Sequence, residues 1–282
     1  MLFGTRRWSA LLTCSDEELA GAAARVLGGL WVDVPELPSP SATFDLVRDG
    51  RGYSLTVEGE QWSRWPEPGP ALADLHWSII DTAFRSRPGT MAFHAGVVEL
   101  EGARILIPGD TEHGKSSLVL AACQAGALYG GDDLAWLDLN TRSVIPFPIA
   151  LTLSRQAVER FGRGLSDATF LQASVERDEG IERRYYLSPG RFSGGIAREG
   201  SLAAVVIRHP PYSVKAELKR LGLGEGLRRL YYHAQFRWEE RAEVFQHMGW
   251  MMEQVPVYEA VGEAENVVSM LPQLVGSRQS RD

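Results

Sequence analysis

One stretch of the chain, ILIPGDTEHGKSSLVL at residues 105–120, limits its fold more than any other feature. Residues 109–116 match G-x-x-x-x-G-K-[ST], the pattern of a phosphate-binding loop. The run ILIP before the match predicts a strand, and SSLVLAACQAG after it predicts a helix. Glycines let a backbone curl so that successive N–H groups face one anion, and a helix N-terminus adds partial positive charge. The stretch therefore predicts a strand–loop–helix corner that binds phosphates.

The polar residues of this corner have predicted tasks. Lys115 would neutralise charge on the β- and γ-phosphates of ATP, and the Ser116 hydroxyl would bind Mg²⁺. ATP and Mg²⁺ are the predicted cofactors. The predicted cofactor-binding residues are Gly109, Asp110, Thr111, Glu112, His113, Gly114, Lys115, Ser116 and Ser117. The alternative is an ordinary strand–turn–helix corner with an exposed lysine.

Two adjacent carboxylates, Asp132 and Asp133, form a second feature. Neighbouring negative charges repel, and a nearby cation would remove that repulsion. One carboxylate could hold Mg²⁺ while the other accepts a proton from an attacking hydroxyl. Gly130 and Gly131 just before them would allow a ligand to approach the backbone closely. The alternative is a polar turn before the next strand.

His94 lies upstream of the loop, on a run that predicts a strand beside the strand of the loop. A lone histidine there is more often a core or edge residue. Together, the stretch HAGVVELEGARILIPGDTEHGKSSLVLAACQAGALYGGDDLAWLD resembles the catalytic core of HPr serine kinase/phosphorylase. It resembles more closely the broad group of HPr-kinase-related bacterial proteins, including those encoded beside peptide-modification genes. The shared pattern is a histidine opening a strand, a loop ending in G-K-S/T, a helix and a double aspartate.

The resemblance implies roles and a fold. Asp132 would be the general base toward a serine hydroxyl, Asp133 would support the metal with Ser116, and His94 would orient or tune Asp132. The implied catalytic residues are thus Asp132, His94 and Lys115. The implied fold is α/β (α+β): a phosphate-loop domain with a mixed central sheet, related to phosphoenolpyruvate carboxykinase. The resemblance also implies that the chain can form a homo-oligomer.

The rest of the chain predicts a smaller N-terminal α+β segment at residues 1–88, made of a helix, a hairpin and a helix. In its first helix, Ser15 and Glu18 predict a capping box. The phosphate-loop domain would occupy residues 89–275, and residues 276–282 would fray. The charged stretch ERDEGIERR at residues 176–184 predicts a loop.

Charge and composition exclude several classes of protein. A net charge of −7 argues against a nucleic-acid binder, and no apolar run is long enough to span a bilayer. Two cysteines are too few for a disulfide framework, which fits a cytoplasmic location.

These observations predict an ATP- and Mg-dependent kinase whose acceptor is a hydroxyl, most simply Ser or Thr of a peptide or protein. A small-molecule hydroxyl is an alternative acceptor. A non-catalytic nucleotide-binding switch or partner-recruiting module is the alternative function. A GTPase would need a guanine-reading segment such as N-K-x-D, which the chain lacks.

Overall fold

The computed structural model describes residues 1–32, 36–86, 90–110, 112–162, 170–177, 180–192, 194–210, 215–236 and 241–276. The chain divides into two compact units. The first unit comprises Met1–Pro88 and Pro148–Arg191, and the second comprises Gly89–Phe147 and Phe192–Asp282. The boundary predicted after residue 88 coincides with one border between the units, whereas residues 148–191 group with the N-terminal part of the chain. The division into domains at 1–88 and 89–275 stays a prediction, and most of the predicted tail lies outside the described residues.

The first unit contains a larger and a smaller sheet. The strands of the larger sheet are β1 (Leu2–Thr5), β2 (Trp8–Cys14), β3 (Trp31–Val32), β4 (Thr43–Asp49), β5 (Gly52–Val57) and β6 (Glu60–Trp65). They lie in the order β3-β1-β2-β4-β5-β6, with β2 and β4 parallel and the other neighbours antiparallel. The smaller sheet has β15 (Gly180–Leu187) between β13 (Leu151–Ser154) and β14 (Phe170–Arg177). The helices of this unit are α1 (Glu17–Leu27), α2 (Pro68–Ser86) and α4 (Arg155–Phe161).

Two local predictions for this unit were wrong. Helix α1 is capped by Asp16 rather than Ser15: the Asp16 carboxylate accepts a hydrogen bond of 2.9 Å from the N–H of Leu19. Asp and Ser are both good N-caps, so composition alone does not choose between adjacent candidates. In the charged stretch predicted as a loop, residues 176–177 belong to β14 and residues 180–184 to β15, which pair as antiparallel strands, while residues 178–179 lie outside the described residues. Backbone hydrogen bonds make this pairing, and they do not depend on side-chain charge.

The second unit is built on one ten-stranded sheet. Its strands are β7 (Thr90–Phe93), β8 (Ala95–Leu100), β9 (Ala103–Pro108), β10 (Leu128–Gly131), β11 (Ala135–Asp138), β12 (Ser143–Pro146), β16 (Gly200–Arg208), β17 (Glu217–Arg220), β18 (Ala234–Gln235) and β19 (Val257–Val261). The main order is β10-β8-β9-β16-β12-β11-β7-β18, and β19 pairs with both β16 and β17. The helices are α3 (Lys115–Gln124), α5 (Leu223–Tyr231), α6 (Arg241–Gln254), α7 (Ala264–Val268) and α8 (Pro272–Gly276).

The candidate site lies at the carboxyl end of three parallel strands, β9, β16 and β19. Strand β16 runs parallel to β9 on one side, where Leu106 faces Val205, and parallel to β19 on the other, where Val205 faces Val257. The carboxyl ends of parallel strands meet at one edge of a sheet, where ligands commonly bind. The loop at residues 109–114, called the glycine loop below, follows β9 at this edge. Strand β16 ends there with Arg208.

The chain is thus α+β, with mixed sheets, as the sequence predicted at that level. Over the described ranges, each helix is either too short or too polar to cross a bilayer.

Candidate functional site

The glycine loop joins the end of β9 to the first turn of α3. Gly114 has a left-handed backbone (φ 79°, ψ 22°), which glycine adopts without the steric cost of a β-carbon. Glu112 has φ 69° and its side chain is exposed. The N–H of His113 donates to the carbonyl of Asp110. The loop therefore turns sharply before α3, and the predicted residue Thr111 lies outside the described part of it.

Lys115 is buried at the start of α3, with 5% of its surface exposed. Its Nζ lies 2.8 Å from Oδ1 of Asp132 and 3.1 Å from Oδ1 of Asp133, and it also donates to the backbone carbonyl of Asp132. Burial opposes the charge on Lys115, but the two carboxylates outweigh it and raise the pKa of the ammonium group. The lysine is thus held charged between two carboxylates, unlike the exposed lysine of the alternative reading.

The two aspartates follow β10 directly. Asp132 is fully buried, and its Oδ2 accepts a hydrogen bond of 2.6 Å from the hydroxyl of Ser116. Burial is the largest influence on the Asp132 carboxyl and raises its pKa, while Lys115 acts in the opposite direction. Asp133 is also buried. The structure thus brings Lys115, Ser116, Asp132 and Asp133 into one cluster.

Gly130 and Gly131, which the sequence suggested as a place for a ligand, instead approach the protein itself. A β-carbon added at Gly130 would lie 2.6 Å from Cγ1 of Val97, and one at Gly131 would lie 2.6 Å from the carbonyl oxygen of Phe147. The bulge at this point of β10 therefore depends on side chains of minimal size.

His94 lies between β7 and β8 and is half-buried. Its Nδ1 is 3.2 Å from the carbonyl oxygen of Asp133, and its backbone N–H donates to the carbonyl of His233. Burial and the charge of Lys115 lower the pKa of His94 below its ordinary value. His94 is therefore a mostly neutral ring at neutral pH, in contact with the aspartate segment.

The remaining loop residues lie at the outer side of the cluster. Asp110 is exposed, with its carboxylate 3.6 Å from Nδ1 of His233 and 3.9 Å from Nδ1 of His113. The ring of His113 stacks on that of His209 at a centroid distance of 5.9 Å. Ser117 is half-buried on α3, one residue beyond Ser116.

Arg208 is a residue that the sequence reasoning missed. It is 2% exposed and lies against the glycine loop: a β-carbon added at Gly109 would be 3.1 Å from Cβ of Arg208. The only signal in the sequence is an arginine at the end of the apolar run LAAVVI, which is also typical of a surface arginine.

The donor set fits a magnesium ion. The hydroxyl of Ser116 and the carboxylates of Asp132 and Asp133 are hard oxygen donors, which Mg²⁺ prefers. Within the described ranges, no group of at least three His, Cys, Asp or Glu side chains is arranged to hold a metal ion. In nucleotide sites Mg²⁺ is commonly bound by one or two carboxylates together with phosphates and water.

No family model matches the chain, and no curated protein matches it. Among solved structures, the chain is similar to the HPr(Ser) kinase/phosphatase from Coxiella burnetii, at 12% sequence identity over 67% of this chain and 97% of that one. The TM-score is 0.32, and no function is assigned to this chain from the match.

Proposed function

We propose that the chain is an ATP- and Mg-dependent phosphotransferase that phosphorylates a hydroxyl, with Ser or Thr of a peptide or protein as the first acceptor to test. The observation that carries the proposal is the position of Lys115: a buried ammonium at the first turn of a helix, behind a glycine loop and between two carboxylates. Phosphoryl transfer needs charge neutralisation and positioning more than covalent help, and this cluster can supply both.

In this proposal, the glycine loop and the first turn of α3 bind the polyphosphate through backbone N–H groups. Lys115 turns from the aspartates toward the phosphates. Ser116 and Asp133 would hold Mg²⁺, which would supply positive charge to neutralise the phosphates. These are the roles that the resemblance of residues 94–138 to HPr-kinase-related proteins implies.

Asp132 is proposed as the base that accepts the proton of the acceptor hydroxyl. Burial raises the pKa of its carboxyl, which makes it a stronger base, and the departure of Lys115 toward a nucleotide would strengthen this effect. His94, through its contact with the Asp133 carbonyl, would hold the aspartate segment in place.

A nucleotide-binding module without phosphoryl transfer is the second candidate. One observation favours it: both carboxylate oxygens of Asp132 are already engaged, by Lys115 and Ser116. In that case Asp132 would be part of the nucleotide site and would have no acceptor to activate.

The two candidates differ in what Asp132 does, and two substitutions separate them. K115A should weaken ATP binding strongly and abolish transfer. D132N, which keeps the size of the side chain, should leave ATP binding within about threefold of wild type and lower transfer by about 10²- to 10⁴-fold, the usual contribution of a general base. Transfer is measured with labelled ATP and a panel of peptides, alcohols and HPr, and binding by calorimetry.

K219A provides the matched control, because Lys219 is an exposed lysine on β17 of the same unit. It should behave as wild type in both assays. Full transfer by D132N would show that the base assignment is wrong. ATP binding by wild type without transfer to any acceptor would favour the non-catalytic module.

A further inference from the structure

Arg208 is the most deeply buried cation near the glycine loop that the proposed function leaves without a task. It ends β16 and is 2% exposed. Arginine stays protonated even when burial lowers its pKa, as it does here. The structure therefore holds a positive charge inside the protein at the edge of the sheet where the glycine loop begins.

The hydrogen bonds of the Arg208 guanidinium go to neutral backbone carbonyls. Nη1 donates to the carbonyl of Ala260 at 3.0 Å, and Nη2 donates to the carbonyl of Gly262. Nε is buried and has no hydrogen-bond partner among the described residues. The negative charge of Glu263 attracts the guanidinium and partly offsets the lowering of its pKa by burial. A buried N–H donor with no partner lowers the stability of the folded protein, so its presence here needs a physical explanation.

The unpartnered side of the guanidinium faces the glycine loop. A β-carbon added at Gly114 would lie 3.6 Å from Nε and 3.7 Å from Nη2 of Arg208. A β-carbon added at Gly109 would lie 3.1 Å from Cβ of Arg208 and 3.5 Å from Cβ of Lys115, so both cationic residues adjoin the loop. Charges act over longer distances where water is excluded, which applies at this position.

We propose that Arg208 is a positioning residue that supports the glycine loop from the protein interior and adds a second positive charge to the polyphosphate site. The proposal rests on the proposed function, because it assumes that the loop binds a polyphosphate. It also concerns specificity: the contribution of Arg208 should grow with the number of phosphate charges on the ligand, so that ATP gains more than AMP.

The test compares R208Q, which removes the charge, with R208K, which keeps it. Equilibrium binding of MgATP, inorganic tripolyphosphate and AMP is measured by calorimetry at two salt concentrations. R208Q should bind MgATP and tripolyphosphate about tenfold or more weakly and AMP less than about threefold more weakly. R208K should recover most of the loss, and the salt dependence of MgATP binding should be smaller in R208Q.

R104Q is the matched control. Arg104 is 7% exposed and donates to backbone carbonyls, as Arg208 does, but it also pairs with Glu99 at 2.9 Å and lies near the start of β9, at the opposite end from the glycine loop. R104Q should lower the melting temperature of the protein without changing its preference for binding ATP over AMP. If R208Q is not folded, R208M, with an apolar side chain of similar reach, takes its place.

Other results would overturn the inference. Equal weakening of ATP and AMP binding in R208Q, or an effect no different from that of R104Q, would show a purely structural arginine. Unchanged MgATP binding in R208Q, with K115A strongly impaired, would remove Arg208 from the site and leave the proposed function intact. Absence of MgATP binding in wild type would overturn both proposals.

Discussion

At the scale of single residues, His233 makes a testable link between the candidate site and pH. It is 8% exposed, and its ring is near Asp110. Burial lowers its pKa, His94, His113 and Lys115 act in the same direction, and Asp110 opposes them. When the pH is below about 6.5, the pKa of an unperturbed histidine, His233 is therefore protonated to a greater extent in the unfolded chain than in the native protein. Native stability should fall as the pH drops from about 6.5.

The substitution H233Q removes this titration and should reduce that loss. The free energy of unfolding, measured by urea titration between pH 7.5 and 5, should fall less steeply in H233Q than in wild type. The difference in slope should be less than about 1.4 kcal/mol per pH unit, the limit for one proton, because solvent screens part of the effect. Some slope should remain, since burial also lowers the pKa of His94. Equal slopes in the two proteins would contradict the assignment.

At the scale of elements, strand β10 shows how close packing positions the aspartates. The side chain of Val97 on β8 fills the space that a β-carbon at Gly130 would need. G130A should therefore lower the free energy of unfolding by about 1–3 kcal/mol, the usual cost of overpacking. It should also disturb Asp132, two residues further on, and reduce nucleotide binding. Urea unfolding and calorimetry measure the two effects.

At Gly249, in contrast to Gly130, the structure has room for a β-carbon. Gly249 lies in α6, and among the described residues no atom outside its own stretch of helix comes within 4 Å of the position of an added β-carbon. G249A should raise the free energy of unfolding by up to about 1 kcal/mol, because alanine favours a helix more than glycine does. If G130A proves as stable as wild type, the bulge in β10 can widen, and the aspartates do not depend on this packing.

The elements also show what the sequence could predict. The corner from β9 through α3 was predictable because strand, loop and helix are contiguous, and each part has a local signature. The aspartates were predictable for the same reason, since they follow α3 closely. Arg208 was not, because it meets Gly114 only through the parallel pairing of β9 and β16, which are far apart in the chain. The same limit hid the grouping of residues 148–191 with the first unit.

At the scale of the whole molecule, each unit carries one native cysteine that can report its unfolding. Cys14 lies on β2 in the first unit, and Cys123 lies on α3 in the second. Burial raises the pKa of both thiols, that of Cys123 to about 12. Alkylation requires the thiolate and access to solvent, so buried Cys123 should react only after its unit opens. Cys14 is half-buried, so it should react slowly in the native protein and faster once its unit unfolds.

Each unit has its own buried apolar residues, so each should show its own unfolding transition, and a ligand should stabilise only the unit that binds it. In pulsed alkylation across a urea series, MgATP at about 100 times its dissociation constant should stabilise the Cys123 unit by about 2.7 kcal/mol and move its transition to higher urea. The Cys14 transition should stay in place. K115A should lose the shift, because Lys115 is the proposed phosphate ligand. It lies at the start of α3, the helix that carries Cys123. Equal displacement of both transitions would instead mean that the two units unfold as one cooperative body, with nucleotide binding coupled to both.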